Sequence, residues 1–288
     1  MKEMTKDRIF RIIITLILIV AAIIALLPLL SVAATSFSSK VAVEAKRVTL
    51  WPVDFTTDSW AYVLSSASIW RSFGLTVFIT VVGTALALLI TALMAYPLSK
   101  GEFKAGRIIM FFIVLTMIFK APTIPYFLTI RNLGLYDNVA VLILPQILTA
   151  YNLSIMRTFF KDFPHEVEEA ATIDGCTPAG VLRCIVLPSS KAVLATLGLF
   201  YAVTLWNQFQ HPLLFIRTQA LYPLQMKIHQ LLNTSVEVTQ ISAIGNKTYN
   251  EKTIRAAVVI FALLPILAVY PFVQKYFVKG AMLGSVKG

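Results

Sequence analysis

Phe73-Gly-Leu-Thr-Val-Phe-Ile-Thr-Val-Val-Gly-Thr-Ala-Leu-Ala-Leu-Leu-Ile-Thr-Ala-Leu-Met-Ala-Tyr-Pro-Leu98 contains no charged side chain. As a helix rising about 1.5 Å per residue, it is long enough to cross the hydrocarbon core of a bilayer, about 30 Å thick. Five further runs of this kind flank it: Ile9 to Ala34, Ile108 to Leu128, Val139 to Phe160, Ala192 to Pro212 and Ala256 to Tyr276. The whole chain of 288 residues is 58% hydrophobic and 14% charged, against roughly 25% charged for soluble domains. Backbone groups in lipid must be satisfied within their own segment, so the expected fold is all-α, a polytopic membrane protein with six transmembrane helices.

The net charge of +11 does not point to nucleic acid, because Lys and Arg sit in short clusters between apolar runs rather than on one continuous basic face. It bears instead on orientation. Lys100-Gly-Glu-Phe-Lys104-Ala-Gly-Arg107 is a short basic loop, whereas the short link from Arg131 to Asn138 carries one Arg and one Asp. The positive-inside rule then puts Lys100 to Arg107, Lys161 to Lys191 and both termini in the cytoplasm. Ile9 to Ala34 follows Lys2, Lys6 and Arg8 and ends near small residues. Its apolar stretch exceeds the about 7–15 residues of a signal peptide, so it is expected as a retained helix.

The expected organisation is residues 1–34 as the cytoplasmic N-terminus and first transmembrane helix, 35–71 as an external segment, and 72–288 as a core with five transmembrane helices. That core includes a cytoplasmic segment 163–188, an external loop 213–255 and a cytoplasmic tail 277–288. The aromatic residues of the external segments, Trp51, Trp60 and Tyr222, fit either an interfacial belt or a partner contact.

One polar, helix-favouring stretch interrupts the apolar chain: Pro164-His-Glu166-Val-Glu168-Glu169-Ala170-Ala171-Thr-Ile-Asp174-Gly175. Pro164 suits a first helical position, the glutamates suit the positive end of the helix dipole, and Gly175 suits a C-terminal stop. Thr177-Pro178 then reads as a second cap and first helical residue, leading past Arg183 into the fifth run near Pro188. Ala171 and Gly175, four apart, are expected on one smooth face open to close approach by a partner. By these residues alone, a docking helix and a simple connecting loop fit equally.

Glu169-Ala170-Ala171, three residues, Gly175, nine residues, then Ile185-Val-Leu187-Pro188 resembles the EAA signature of ABC importer permeases at every fixed position. The resemblance extends from about Trp70 to Gly288, through Ala95-Tyr-Pro-Leu-Ser-Lys100, Ile124-Pro125-Tyr126, Leu133-Gly134-Leu135 and Ile143-Leu-Pro145. It is nearest to the sugar branch, similar to the smaller permease of maltose-type systems and, more narrowly, to permeases for complex oligosaccharides such as pectin or uronate fragments.

The resemblance implies a coupling helix that docks on a separate ATPase through Glu166, Glu169, Ala170, Ala171, Asp174, Gly175, Ile185, Leu187 and Pro188. It also implies a tail at Lys279, Gly284 and Lys287 that reaches the ATPase interface. Implied partners are a second permease in a heterodimer, two ATPase subunits that bind ATP and Mg, an extracellular substrate-binding protein and membrane lipid. The chain itself would hold no cofactor and catalyse nothing.

Direct motif reading agrees with a silent chain. Gly101-Glu-Phe-Lys-Ala-Gly106 has P-loop glycine spacing, but Arg107-Ile108 follow in place of Lys and a hydroxyl residue. His165, His211 and His229 are scattered, and Cys176 and Cys184 lack CxxC spacing, so no metal site is expected. Polar and aromatic residues in or beside the apolar runs are candidates for lining a substrate path: Lys120, Tyr126, Gln146, Tyr151, Asn152, Tyr201, Trp206, Asn207 and Gln208. Hydrogen bonding between helices is the competing role for the amides. Two other functions stay open at this level, a membrane scaffold or sensor that recruits a cytoplasmic partner, and an ion-driven secondary transporter. The second is disfavoured because no Asp or Glu lies within the six runs.

Overall fold

The computed structural model describes residues 2–119, 121–233 and 249–285. Two compact units emerge, one of residues 1–70 with 227–265, the other of residues 71–226 with 266–288.

In the first unit, helix α1 (Lys2–Ser36) keeps apolar side chains exposed all round from Phe10 to Leu30, the pattern of a helix solvated by lipid. After it come α2 (Lys40–Glu44) and α3 (Asp58–Ser65). Ser39 caps α2 by accepting from the Ala42 N–H at 3.2 Å. The connecting loop closes on α1 through aromatic packing: the ring of Phe37 lies 5.6 Å from Phe55 and 5.3 Å from Trp60, and the Trp60 indole donates to Ser36 Oγ. Trp60 therefore builds this loop, while Trp51 stays exposed.

Helix α4 (Ala67–Ser99) is unbroken and spans the second apolar run. The third run is two helices, α5 (Gly106–Ile118) and α6 (Thr123–Asn132). Pro122 caps α6 in an extended conformation, and a residue preceding proline is pushed out of the α region, which accounts for the break. The fourth run opens as 3₁₀ turns at Val139–Leu142 and Leu144–Gln146 before α7 (Ala150–Lys161). These are bent by 45° from α7.

Helices α8 (His165–Ile173) and α9 (Pro178–Val181) lead into a π-helical turn, Leu182–Val186, and a short α10 (Leu187–Ser189). Leu187 N–H donates to Leu182 O, the wide turn of a π-bulge. It sits beside Pro188, which cannot continue an ordinary i→i−4 ladder. An 83° bend then opens α11 (Lys191–Trp206), followed by α12 (Gln210–Phe215), α13 (Leu224–Asn233) and α14 (Glu251–Ser285).

Among the described residues, three helices are long and apolar enough to cross a membrane alone, or five if each bent pair is one span, with α5 a shorter apolar helix. The six runs of the sequence thus become unbroken helices in only three cases. Helix α14 continues through Lys279 and Gly284, so the expected tail is helical there. Lys287 lies outside the described residues.

The second unit has two buried clusters that follow one another along α4. Ala92, Ala95, Tyr96 and Leu98 pack with Leu153, Met156 and Phe160 of α7, Ala171 of α8, and Val181, Leu182 and Val186. Nearer the start of α4, Ile79 packs with Val141, Leu142, Leu205, Phe215 and Ile216.

Candidate functional site

The segment after α7 is held by backbone geometry. Pro164 stands at the N-cap of α8, one position before the first helical residue expected for it, and Glu166 and Glu168 lie in the first turn. At the far end Asp174 is the C-cap, the Gly175 N–H donates to Thr172 O and the Cys176 N–H to Ala171 O, both at 3.0 Å. Gly175 has φ +84°. These are the two hydrogen bonds of a Schellman motif with its left-handed residue. Open space surrounds the position where a Gly175 Cβ would stand, so the requirement is on the backbone alone. Thr177 then caps α9, its Oγ1 accepting from the Gly180 N–H at 3.2 Å.

Helix α8 has two faces. Ala171 is only 6% exposed and sits in the chain's own core, which corrects the expectation that it shares an open face with Gly175. Ile185 and Leu187 are half-buried against the same core, so part of each side chain supports the segment from within. Pro188 is exposed. The outward face carries Glu166, Val167, Glu169, Ala170, Ile173 and Asp174, with Ile173 86% and Val167 44% exposed. Sequence reasoning missed these two apolar residues, although their spacing from Glu169 and Ala170 puts them on that face. Glu168 turns inward and ion-pairs with Lys100. Cys176 and Cys184 are free thiols.

The path candidates separate into groups. Gln146 donates to Gln208 Oε1 at 2.9 Å, its Nε2 lies 3.2 Å from His211 Nδ1, and the Tyr126 hydroxyl lies 3.0 Å from His211 Nε2. An amide N–H facing Nδ1 makes that nitrogen the acceptor, so the ring proton resides on Nε2 and points at Tyr126. Gln208 is 6% exposed and its Nε2 is buried without a partner. All four residues adjoin breaks in apolar runs: after Pro122, in the 3₁₀ turns, and between α11 and α12. His211, set aside in the sequence for want of metal spacing, is the residue that joins Tyr126 to the amides.

Tyr201 is buried and its hydroxyl lies 2.7 Å from Thr91 Oγ1, a bond between α4 and α11. Trp206 packs edge-on against Phe73, and its indole N–H is buried without a partner. Asn152 is buried at the start of α7, Tyr151 is exposed beside Phe200, and Asn207 bonds back to Val203 O. Lys120 lies outside the described residues. Among the described residues, no group of three or more His, Cys, Asp and Glu could hold a metal.

Beside the cluster, Asp137 clips the segment after α12. Its Oδ1 accepts from the backbone N–H groups of Arg217 and Thr218, each at 2.9 Å, and Oδ2 accepts from Thr218 Oγ1 at 2.7 Å. The Thr218 backbone N–H, then its hydroxyl and the Arg217 N–H, hold this carboxyl below its ordinary 3.8.

Residues 82–282 match the family of binding-protein-dependent transport system inner membrane components. The chain belongs to that family. This permease is 43% identical over 266 residues to protein LplC of Bacillus subtilis (strain 168), covering 92% of the chain and 90% of LplC. It is 41% identical over 285 residues to the polygalacturonan/rhamnogalacturonan transport system permease protein YtcP of the same organism, covering 98% and 100%. A crystal structure of a bacterial ABC transporter that imports the acidic polysaccharide alginate has a chain similar to the permease, with TM-score 0.88, 34% identity and coverage of 94% of the permease and 98% of that chain. The permease is accordingly a membrane subunit of an ABC importer, and the segment resembling the EAA signature falls inside the matched family region.

Proposed function

We propose that this permease forms half of the translocation path of a sugar importer, with fragments of acidic polysaccharides as cargo, and that α8 is the coupling helix docked on a separate ATPase. The observation that carries the reading is the outward face of α8: carboxylates at Glu166, Glu169 and Asp174 around exposed Ile173 and Val167, on a helix closed at its C-terminal end by the Gly175 turn. An exposed apolar residue of this size within a charged rim is the usual form of an anchor for a partner cleft. The cargo class is supported by one relative, named for polygalacturonan and rhamnogalacturonan, and by the alginate importer.

In this reading ATP and Mg bind the two ATPase subunits, a second permease completes the membrane core, and an extracellular binding protein delivers cargo. This chain is non-catalytic, with both termini cytoplasmic. Tyr126, Gln146, Gln208 and His211 border the path, and the helix carrying Lys279 and Gly284 points toward the ATPase pair. Closure of the ATPases on ATP moves α8, and the membrane helices shift between inward- and outward-facing arrangements.

The test is co-expression with the partner permease and the ATPase. Glu169→Lys and Ile173→Asp are each expected to weaken ATPase copurification about 30-fold, the loss of about 2 kcal/mol typical of an interface anchor, with insertion in the membrane unchanged. Full copurification of both variants sinks the docking assignment. Uptake of labelled oligogalacturonides into vesicles bearing the whole complex tests the cargo class separately.

A further inference from the structure

The two covalent routes out of α8 are both interrupted. Before it, Asp162 to Pro164 is non-helical between α7 and α8. After it come the Gly175 turn, the π-helical turn at Leu182–Val186 and the 83° bend into α11. A displacement of α8 passed along either route meets a joint that can absorb it in a few dihedral angles. Helix α4 is continuous from Ala67 to Ser99, with Pro97 in its last turn, and α8 reaches its end through side chains.

At that end Lys100 Nζ pairs with Glu168 Oε2, and the same ammonium lies 4.6 Å from the centre of the Tyr96 ring. The side chains of Lys100 and Glu168 are 24% and 12% exposed, so this is not a solvated surface pair of negligible worth. The second carboxylate oxygen, Glu168 Oε1, is buried with no hydrogen-bond partner, which leaves Lys100 as the group that satisfies this charge. Ala171, one turn on from Glu168, is buried in the same core as Tyr96. The contact is therefore a packed apolar joint with one ionic link. Arg157 Nε donates to Leu98 O at 2.7 Å, which fastens α7 to the same end of α4.

We infer that the Lys100–Glu168 ion pair is a positioning strut that carries displacement of the docking helix α8 directly into α4. This rests on the reading of α8 as the docking helix. Glu166, Glu169 and Ile173 face the partner, and Glu168, on the opposite face, passes the movement on. Because a buried carboxylate without its cation is costly, the link resists being pulled apart as α8 moves and drags the end of α4 with it.

The experiment uses the whole complex, with partner permease and ATPases, in nanodiscs, and compares hydrogen exchange at Tyr96–Ser99 between the nucleotide-free state and the state trapped with ADP and vanadate. Wild type is expected to show a trapping-dependent change there. Glu168→Gln and Lys100→Met should each shrink the shift in the opening equilibrium about tenfold, a common size for coupling between sites, while ATPase copurification holds. The reversed pair, Lys100→Glu with Glu168→Lys, should restore the change. A purely structural contact would alter exchange in both nucleotide states alike.

The strut is overturned if trapping leaves α4 unchanged in wild type, if the single variants keep the full response, if they lose the ATPase together with it, or if the reversed pair fails to rescue. Failure of the docking reading registers elsewhere, as retention of the ATPase by Glu169→Lys.

Discussion

The docking segment and the polar cluster of Tyr126, Gln146, Gln208 and His211 are both polar interruptions of an apolar chain, yet they are held by opposite means. In the docking segment the bonds that shape the helix ends each span five residues or fewer, Cys176 to Ala171, Gly175 to Thr172 and Gly180 to Thr177, and a single ion pair, Lys100 to Glu168, reaches a distant element. In the cluster the bonds span 62 to 85 residues. A structure held by local bonds can move as a body without losing its shape, which suits a part that transmits force. One held by distant bonds changes whenever its helices shift, which suits a part bordering a path that opens and closes.

The contrast is broken most strongly at Gly175. Gly175→Val should cost about 3 kcal/mol, since a β-branched residue at positive φ is strained even though its side chain meets open space. Gly175→Asn should cost less, because Asn tolerates this region. Thermal unfolding of the purified permease in detergent, with exchange at residues 171–177, measures both. Equal costs would mean that steric contact, not backbone conformation, decides this turn.

A smaller effect, about 2 kcal/mol, is expected for Gln146→Leu, which leaves Gln208 and His211 facing an apolar group. Gln146→Leu with Gln208→Leu should cost less than the sum of the single changes, because the orphaned partner is removed as well. Additive costs would break the picture of one linked network. Smaller again, Thr177→Ala should cost about 1 kcal/mol through loss of the N-cap of α9, seen as faster exchange at Gly180 with no change at the cluster.

The smallest effect is a pH dependence at Asp137. Its folded pKa is lowered, so the stability it contributes is present above its ordinary value of 3.8 and is lost as pH falls through the lower folded value. Limited proteolysis of the segment around Arg217 and Thr218 should rise as pH drops below about 4, the ordinary carboxylate range. In Asp137→Asn that pH dependence should vanish.

Local bonding also explains what could be read in advance. The Gly175 stop and the Thr177 cap followed from residue type because the groups they satisfy lie within one turn. The break at Pro122 was equally legible, since Ala121 precedes a proline, but the apolar count of Ile108 to Leu128 masked it. The inward face of α8 was not legible. Nothing in Glu169-Ala170-Ala171 tells which alanine joins the core of Tyr96 and Phe160, for that depends on how α4 and α7 lie. His211 was passed over because its partners, Tyr126 and Gln146, come from other runs. The fold class needed only composition and period, whereas the side-chain pairings needed the packing.

The π-helical turn at Leu182–Val186 sets the phase of the short helix Leu187–Ser189 that follows it, up to the bend before α11. An α-helix advances about 100° per residue, so the single extra residue held in that wide turn decides which side of Leu187–Ser189 faces the core that holds Leu182 and Val186. Leu187 is placed half-buried against that core, and Pro188 is left exposed. A one-residue deletion there would leave composition, length and hydropathy almost untouched and rotate Leu187 about a quarter-turn away from its place against that core.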